Sequence, residues 1–98
     1  MTILIPAYEP DERLLDLILQ LHNFQLEPIV LVDDGSGPHY RGIFDMAEAF
    51  GCTVLTHEVN LGKGRALKTG FQYIQEASSA QPLRQLCNPD GLFLNYRY

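Results

Sequence analysis

Two cysteines, Cys52 and Cys87, are all that a chain of 98 residues contains, and tryptophan is missing altogether. Their spacing fits no metal-ligand pattern, and two are too few for a disulfide scaffold, so a reducing, cytoplasmic setting is expected. Basic residues are also scarce. Seven Lys and Arg stand against twelve Asp and Glu, a net charge of −5, whereas nucleic-acid binders carry a basic excess, so no nucleic-acid partner is expected. No apolar run approaches the ~20 residues of a membrane span. The first ten residues, MTILIPAYEP, lack the basic start of a secretory signal. Repeats at solenoid periods are absent, as are HExxH around any of the three histidines, a Walker loop before Lys68-Thr69, and a third glycine after Gly62-x-Gly64. His22, His39 and His57 therefore read as surface or structural residues.

What is present is an ordinary globular composition, 46% hydrophobic and 19% charged, enough for one small domain over residues 1–98. The charge is unevenly placed. Residues 1–58 hold ten acids and two bases, and residues 59–98 hold two acids and five bases, with Lys63, Arg65 and Lys68 in one short stretch.

Short apolar runs at 2–5, 29–32 and 52–56 read as buried strands. Between them lie segments of helical spacing. The first carries Leu14, Leu15, Ile18, Leu21 and His22, with Pro10 in its first turn and Glu9, Asp11 and Glu12 at its positive end. The second takes Ser36 as N-cap, Ile43, Met46, Ala47 and Phe50 as its apolar face, and Gly51 as its stop. The third bears Leu67, Phe71 and Ile74, and Gly70 on that face would let it sit close to a sheet. The alternation predicts an α/β three-layer sandwich with a mostly parallel sheet. Pro6–Glu9, Asp33–Ser36 and Asn60–Gly64 then fall on the carboxyl edge, where such folds bind ligands.

Asp33-Asp34-Gly35-Ser36 is the most informative tetrapeptide. Adjacent carboxylates at a strand end repel, so stability alone is a poor reason for them. Carboxylates accept hydrogen bonds from ring N–H groups and ribose hydroxyls, or hold a metal. A receiver-type phosphoacceptor is a rival reading, but its paired acids follow the first strand.

Ile5-Pro6-Ala7-Tyr8-Glu9, Val32-Asp33-Asp34-Gly35-Ser36 and the stretch from Asn60 to Gly70, in that order and spacing, resemble the N-terminal half of a family 2 glycosyltransferase of the GT-A, Rossmann-like fold. The third block is most similar to dolichyl-phosphate sugar synthase-like members. The resemblance covers residues 2–77 and leaves 78–98 as a divergent tail. It implies binding of a nucleotide-sugar, UDP- or GDP-linked, and hexosyl transfer to a lipid-phosphate or glycan acceptor. Pro6, Ala7, Tyr8 and Glu9 would line the nucleoside pocket, with Tyr8 near the uracil and Glu9 near the ribose. Asp33 or Asp34 would accept from the uracil N–H. Gly62 and Lys63 would border the nucleotide, and Lys63 or Arg65 would lie toward the diphosphate.

The resemblance also implies Mg²⁺ or Mn²⁺ on an Asp-X-Asp motif after a fourth strand. Residues 78–98 contain no such motif, and Asp90 in Asn88-Pro89-Asp90-Gly91 reads as a turn residue. No catalytic residue is assigned, and the chain is expected to be a truncated donor half, incomplete for catalysis. The alternative is a non-catalytic nucleotide-binding or interaction module, or an inactive fragment. If it were part of a longer protein, the cytoplasmic membrane face is the expected location. With Thr2–Ile5 as an uncovered edge, Leu92–Tyr98 is expected to pair beside it in its own chain or, preferred, across a homodimer.

Overall fold

The computed structural model describes residues 2–26 and 28–77 in full and 91–93 as backbone. In chain order the elements are β1 (Thr2–Ala7), α1 (Glu12–Asn23), β2 (Ile29–Asp34), α2 (Arg41–Ala49), β3 (Thr53–His57), α3 (Lys63–Ala77) and β4 (Gly91–Phe93). The strands form one sheet in the order β3-β2-β1-β4, and each pairing is parallel. This is the α/β architecture that the alternation of elements predicts.

The strands are continuous apolar runs because both faces of the sheet are covered. Ile3, Ile5, Ala7, Ile29 and Leu31 turn to one face and pack with Leu14 and Ile18 of α1 and Phe44 and Ala47 of α2. Leu4, Val30 and Val32 turn to the other and pack with Ala66, Leu67 and Ile74 of α3. The period-two alternation of a strand thus divides two core layers between successive residues.

β1 runs past Pro6 to Ala7. Ile3 donates to the Pro28 carbonyl, so odd-numbered N–H groups of β1 face β2 and the even-numbered Pro6 faces the β4 side. β4 pairs only as far as Leu4, so the N–H that proline lacks costs no ladder bond.

Three helix details depart from the sequence expectation. α1 begins at Glu12, two residues beyond Pro10, because Asp11 is the N-cap and accepts from the Arg13 N–H. Ser36 is not the cap of α2. Pro38–Tyr40 forms a 3₁₀ turn ahead of the helix, and the α2 cap position is Tyr40. That turn adds Tyr40 to the apolar stripe and moves it to Tyr40, Ile43, Phe44 and Ala47. Met46 and Phe50 are left 50% and 40% exposed. Likewise Phe71 is 49% exposed, since Ala66 and Gly70 are the α3 residues buried against the sheet.

Gly70 does permit close approach. A Cβ there would lie 2.3 Å from Leu4 Cδ1, so α3 rides directly on β1. Gly51 ends α2 at φ 102°, as expected of a C-terminal glycine. The edge of β1 is covered over Thr2–Leu4 by Gly91–Phe93 of the same chain. This is the in-chain form of the two pairings expected for that edge. Cys52 is buried. Cys87, Asp90 and the rest of the tail lie outside the described residues.

Candidate functional site

Strand order reverses at β1, with β2 and β3 on one side and β4 on the other. In open parallel sheets the ligand crevice lies outside the carboxyl ends of the strands at such a switch point. Here that point is the loop after Ala7. The three loops singled out in the sequence meet at this edge and are bonded to one another.

The first contact joins the β1 loop to the β2 loop. Ser36 Oγ accepts the Glu9 N–H at 2.8 Å. This holds Glu9 at φ 49°, a left-handed conformation that costs a non-glycine residue of order 1 kcal/mol and that surrounding bonds must sustain. The Ser36 N–H in turn donates to Asp33 Oδ1 at 3.0 Å. Thus Ser36, buried, links two loops where a helix-capping role was expected.

The second contact joins β2 to the β3–α3 loop, and Asp34 is its centre. Asp34 is fully buried. Its Oδ1 lies 2.7 Å from His57 Nδ1 and accepts the Leu61 N–H at 2.9 Å. Its Oδ2 accepts the Gly62 N–H at 2.9 Å and the Asn60 amide at 3.1 Å. Asn60 Nδ2 also reaches the Asp34 carbonyl at 3.1 Å. A buried carboxylate is sustained by such a set of donors.

The neighbouring acids are therefore not equivalent. Successive strand residues point to opposite faces, so Asp33 shares the α1–α2 side with Leu31 while Asp34 shares the α3 side with Val32. Their mutual repulsion is correspondingly weak, and the expectation that stability is a poor reason for such a pair does not hold at Asp34, whose carboxylate ties the loops together. Asp33 is buried as well, yet beyond the Ser36 bond its Oδ2 has no partner among the described residues.

Gly35 allows the loops to close. It sits at φ 73°, and a Cβ there would fall 2.2 Å from Val59 C and Asn60 N. The backbone of the β3–α3 loop passes where any side chain would stand, so the position admits glycine alone.

Gly62, at φ 98°, turns the chain into α3, and its carbonyl accepts the first helical bond from Ala66. Lys63, Gly64 and Arg65 form the opening turn of α3, where N–H groups and the positive end of the helix dipole favour anions. Tyr8 lies beside Glu9, whose charge, with some burial and a hydrogen bond, raises the phenol pKa above its ordinary value. Pro6 and Ala7 are buried in the end of β1, so they support the loop from below. A cleft of about 410 Å³ opens on the α1–α2 side of the same edge, lined by Asp11, Arg13, His39 and Tyr40 among others.

Sequence reasoning gave Asn60 and Thr69 no individual role and read His57 as surface or structural, without its partners. His57 Nε2 lies 2.8 Å from Thr69 Oγ1, so the imidazole bridges β2 and α3. His57 is indeed structural, as expected of a lone histidine. Its position at the end of β3, in register with Asp34, was the available signal.

The described residues do not assemble a divalent-cation site. No group of three or more His, Cys, Asp or Glu able to hold a metal occurs among the described residues, and Asp34 spends both oxygens on protein donors. No described helix is long and apolar enough to cross a membrane.

A parallel sheet with acidic and basic loops gathered at its switch point has the architecture in which α/β domains bind ligands. Residues 2–77 match the family model described as Glycosyl transferase family 2, and the chain belongs to that family. Comparison with curated proteins and with solved structures found no match.

Proposed function

We propose that the carboxyl edge binds the nucleoside diphosphate of a sugar donor, UDP- or GDP-linked, for hexosyl transfer to a lipid-phosphate or glycan acceptor. The observation that carries this reading is the convergence of the three loops on one edge, with acidic acceptors on the β1–β2 side and the basic opening turn of α3 on the other. Asp33, with an oxygen available, suits the imide N–H of a base, and Glu9 suits ribose hydroxyls. Lys63 and Arg65 suit the diphosphate. In the transfer step the acceptor oxygen bonds to the anomeric carbon as the bond to the diphosphate oxygen breaks. The negative charge gathering on the leaving group is what Lys63, Arg65 and the α3 N–H groups would stabilise.

A second reading is a nucleotide-binding module without catalysis of its own. Calorimetric titration of the chain with UDP and GDP, beside an assay of sugar transfer, separates the two. Binding without turnover selects the module, and binding with turnover selects the transferase. No binding of either nucleotide overturns both. Within the donor reading, Asp33→Asn should weaken binding by about 1–2 kcal/mol, the difference between a charged and a neutral acceptor. An unchanged affinity would remove Asp33 from the pocket. A cytoplasmic location belongs to the same proposal.

A further inference from the structure

Asp34, His57 and Thr69 form a chain that neither the family match nor the donor reading requires. Oδ1 of Asp34 lies 2.7 Å from Nδ1 of His57, and Nε2 of His57 lies 2.8 Å from Oγ1 of Thr69. A carboxylate accepts only, so the hydrogen lies on Nδ1 and the imidazole donates to Asp34. The connectivity matches that of a hydrolytic triad. However, Thr69 sits in the middle of α3, without the sharp strand-to-helix turn that exposes a nucleophile. The chain must act on something other than a substrate carbonyl.

What it acts on is the loop between β3 and α3. The same Asp34 carboxylate takes the Leu61 and Gly62 N–H groups and the Asn60 amide. Those contacts fix the last residues before Lys63, and so fix where the opening turn of α3 points. His57 has an 11% exposed side chain against 0% for Asp34, so its ring both donates to that carboxylate and shields it from water. Through Nε2 it ties the carboxylate to the body of α3, one residue before Gly70, the point where α3 rests on Leu4.

We infer that His57 is a positioning residue for the Asn60–Gly62 loop, holding Asp34 in the orientation that presents the first turn of α3, with Thr69 as its anchor. The functional meaning of this placement rests on the donor reading, but the placement itself does not.

The test uses the full chain and two readouts. Amide hydrogen exchange at Leu61 and Gly62, measured by NMR against Ile5 and Leu31 in the core, reads the loop directly. Titration with UDP and GDP reads the site. His57→Ala should speed exchange at Leu61 and Gly62 at least about tenfold more than in the core, since a buried acceptor loses a partner. His57→Asn, which restores a donor near the Nδ1 position, should recover most of that protection. Thr69→Val should give a smaller change in the same direction. It leaves the bond to Asp34 in place and carries the test if His57→Ala does not fold. Nucleotide affinity should fall in step with loop protection. If Leu61 and Gly62 merely follow the core in every variant, or if Asn fails to restore them, His57 is a packing residue and the inference is overturned. If the native chain binds neither nucleotide, the donor reading falls alone, and the exchange pattern still decides the role of His57.

Discussion

At the scale of single residues, Asp33 and Asp34 show how chain direction separates two identical side chains. They are adjacent, both buried and both at the end of β2, yet one takes a single N–H and the other takes three backbone or amide contacts and an imidazole. The stability effects should differ accordingly. Asp34→Asn places an amide nitrogen against donors and should cost about 2–3 kcal/mol or more, whereas Asp33→Asn should cost about 1 kcal/mol. Urea unfolding of the two variants checks this, and equal midpoints would contradict the hub assignment. Gly35→Ala should be at least as harmful as Asp34→Asn. It combines a positive φ with an approach of 2.2 Å to backbone atoms that cannot rotate away, so a loss of roughly 3 kcal/mol is expected by the same assay. Tyr8 offers a check on electrostatics. Its phenol pKa is raised chiefly by Glu9, so the folded state resists its ionisation. Its contribution is intact below the ordinary tyrosine range and is lost as the pH climbs through the raised value. Glu9→Gln should return the Tyr8 titration toward the ordinary range, as followed by the carbon shift of its ring.

At the scale of elements, the contact between α3 and β1 depends on a single glycine. A Cβ on Gly70 would meet the end of the Leu4 side chain at 2.3 Å, and Leu4 is fully buried with little room to turn. Gly70→Ala alone should cost about 1–3 kcal/mol by overpacking, despite the better helix propensity of alanine. Leu4→Ala alone should cost about 2–5 kcal/mol through a cavity. Together they should cost less than their sum, because each repairs the other's defect, and a double-mutant cycle by urea unfolding measures that coupling. Strict additivity would mean that α3 shifts away from the sheet. The sequence made this glycine legible because it stood on the apolar side of a helical pattern. It made Phe71, Met46 and Phe50 misleading for the converse reason. Periodicity locates an apolar stripe to within one position, and a 3₁₀ turn ahead of α2 or a small-residue seam on α3 moves the stripe by that much. The loops followed the same rule. Their place on the carboxyl edge follows from parallel topology and could be read from the order of elements. The bonds among them, Ser36 to Glu9 and Asp34 to Leu61 and Gly62, depend on how two loops close in space. Residues 27 or 28 apart in the chain carry no local signal of that.

At the scale of the whole molecule, the short β4 decides how the sheet ends. β1 lies between β2 and β4, and the pairing Thr2–Gly91, Ile3–Leu92 and Leu4–Phe93 occupies the hydrogen-bonding edge that β1 would otherwise present. An unpaired edge on a fully apolar strand is a template for another chain. β1 is such a strand, since Ile3, Leu4 and Ile5 are all completely buried. Beyond Leu4 the edge protects itself, because Pro6 has no N–H to offer on that side. The exposed edge created by losing β4 would therefore be short, two or three residues long, and flanked by proline. This favours discrete pairing of two copies over open-ended fibre growth, since the template stops after one ladder. A chain ending at Ala77 should accordingly self-associate more strongly than the full chain. Sedimentation velocity over a range of concentrations checks this. The shortened chain should shift to a dimer-sized species at concentrations where the full chain sediments more slowly. Replacing Leu4 by proline in the shortened chain would remove the N–H that faces the vacant side and should abolish the dimer, at a cost in stability that the urea midpoint reports. If the shortened chain sediments as a single monomeric species throughout, the edge of β1 is closed by something other than β4, and the pairing of Gly91–Phe93 is not what keeps two copies apart.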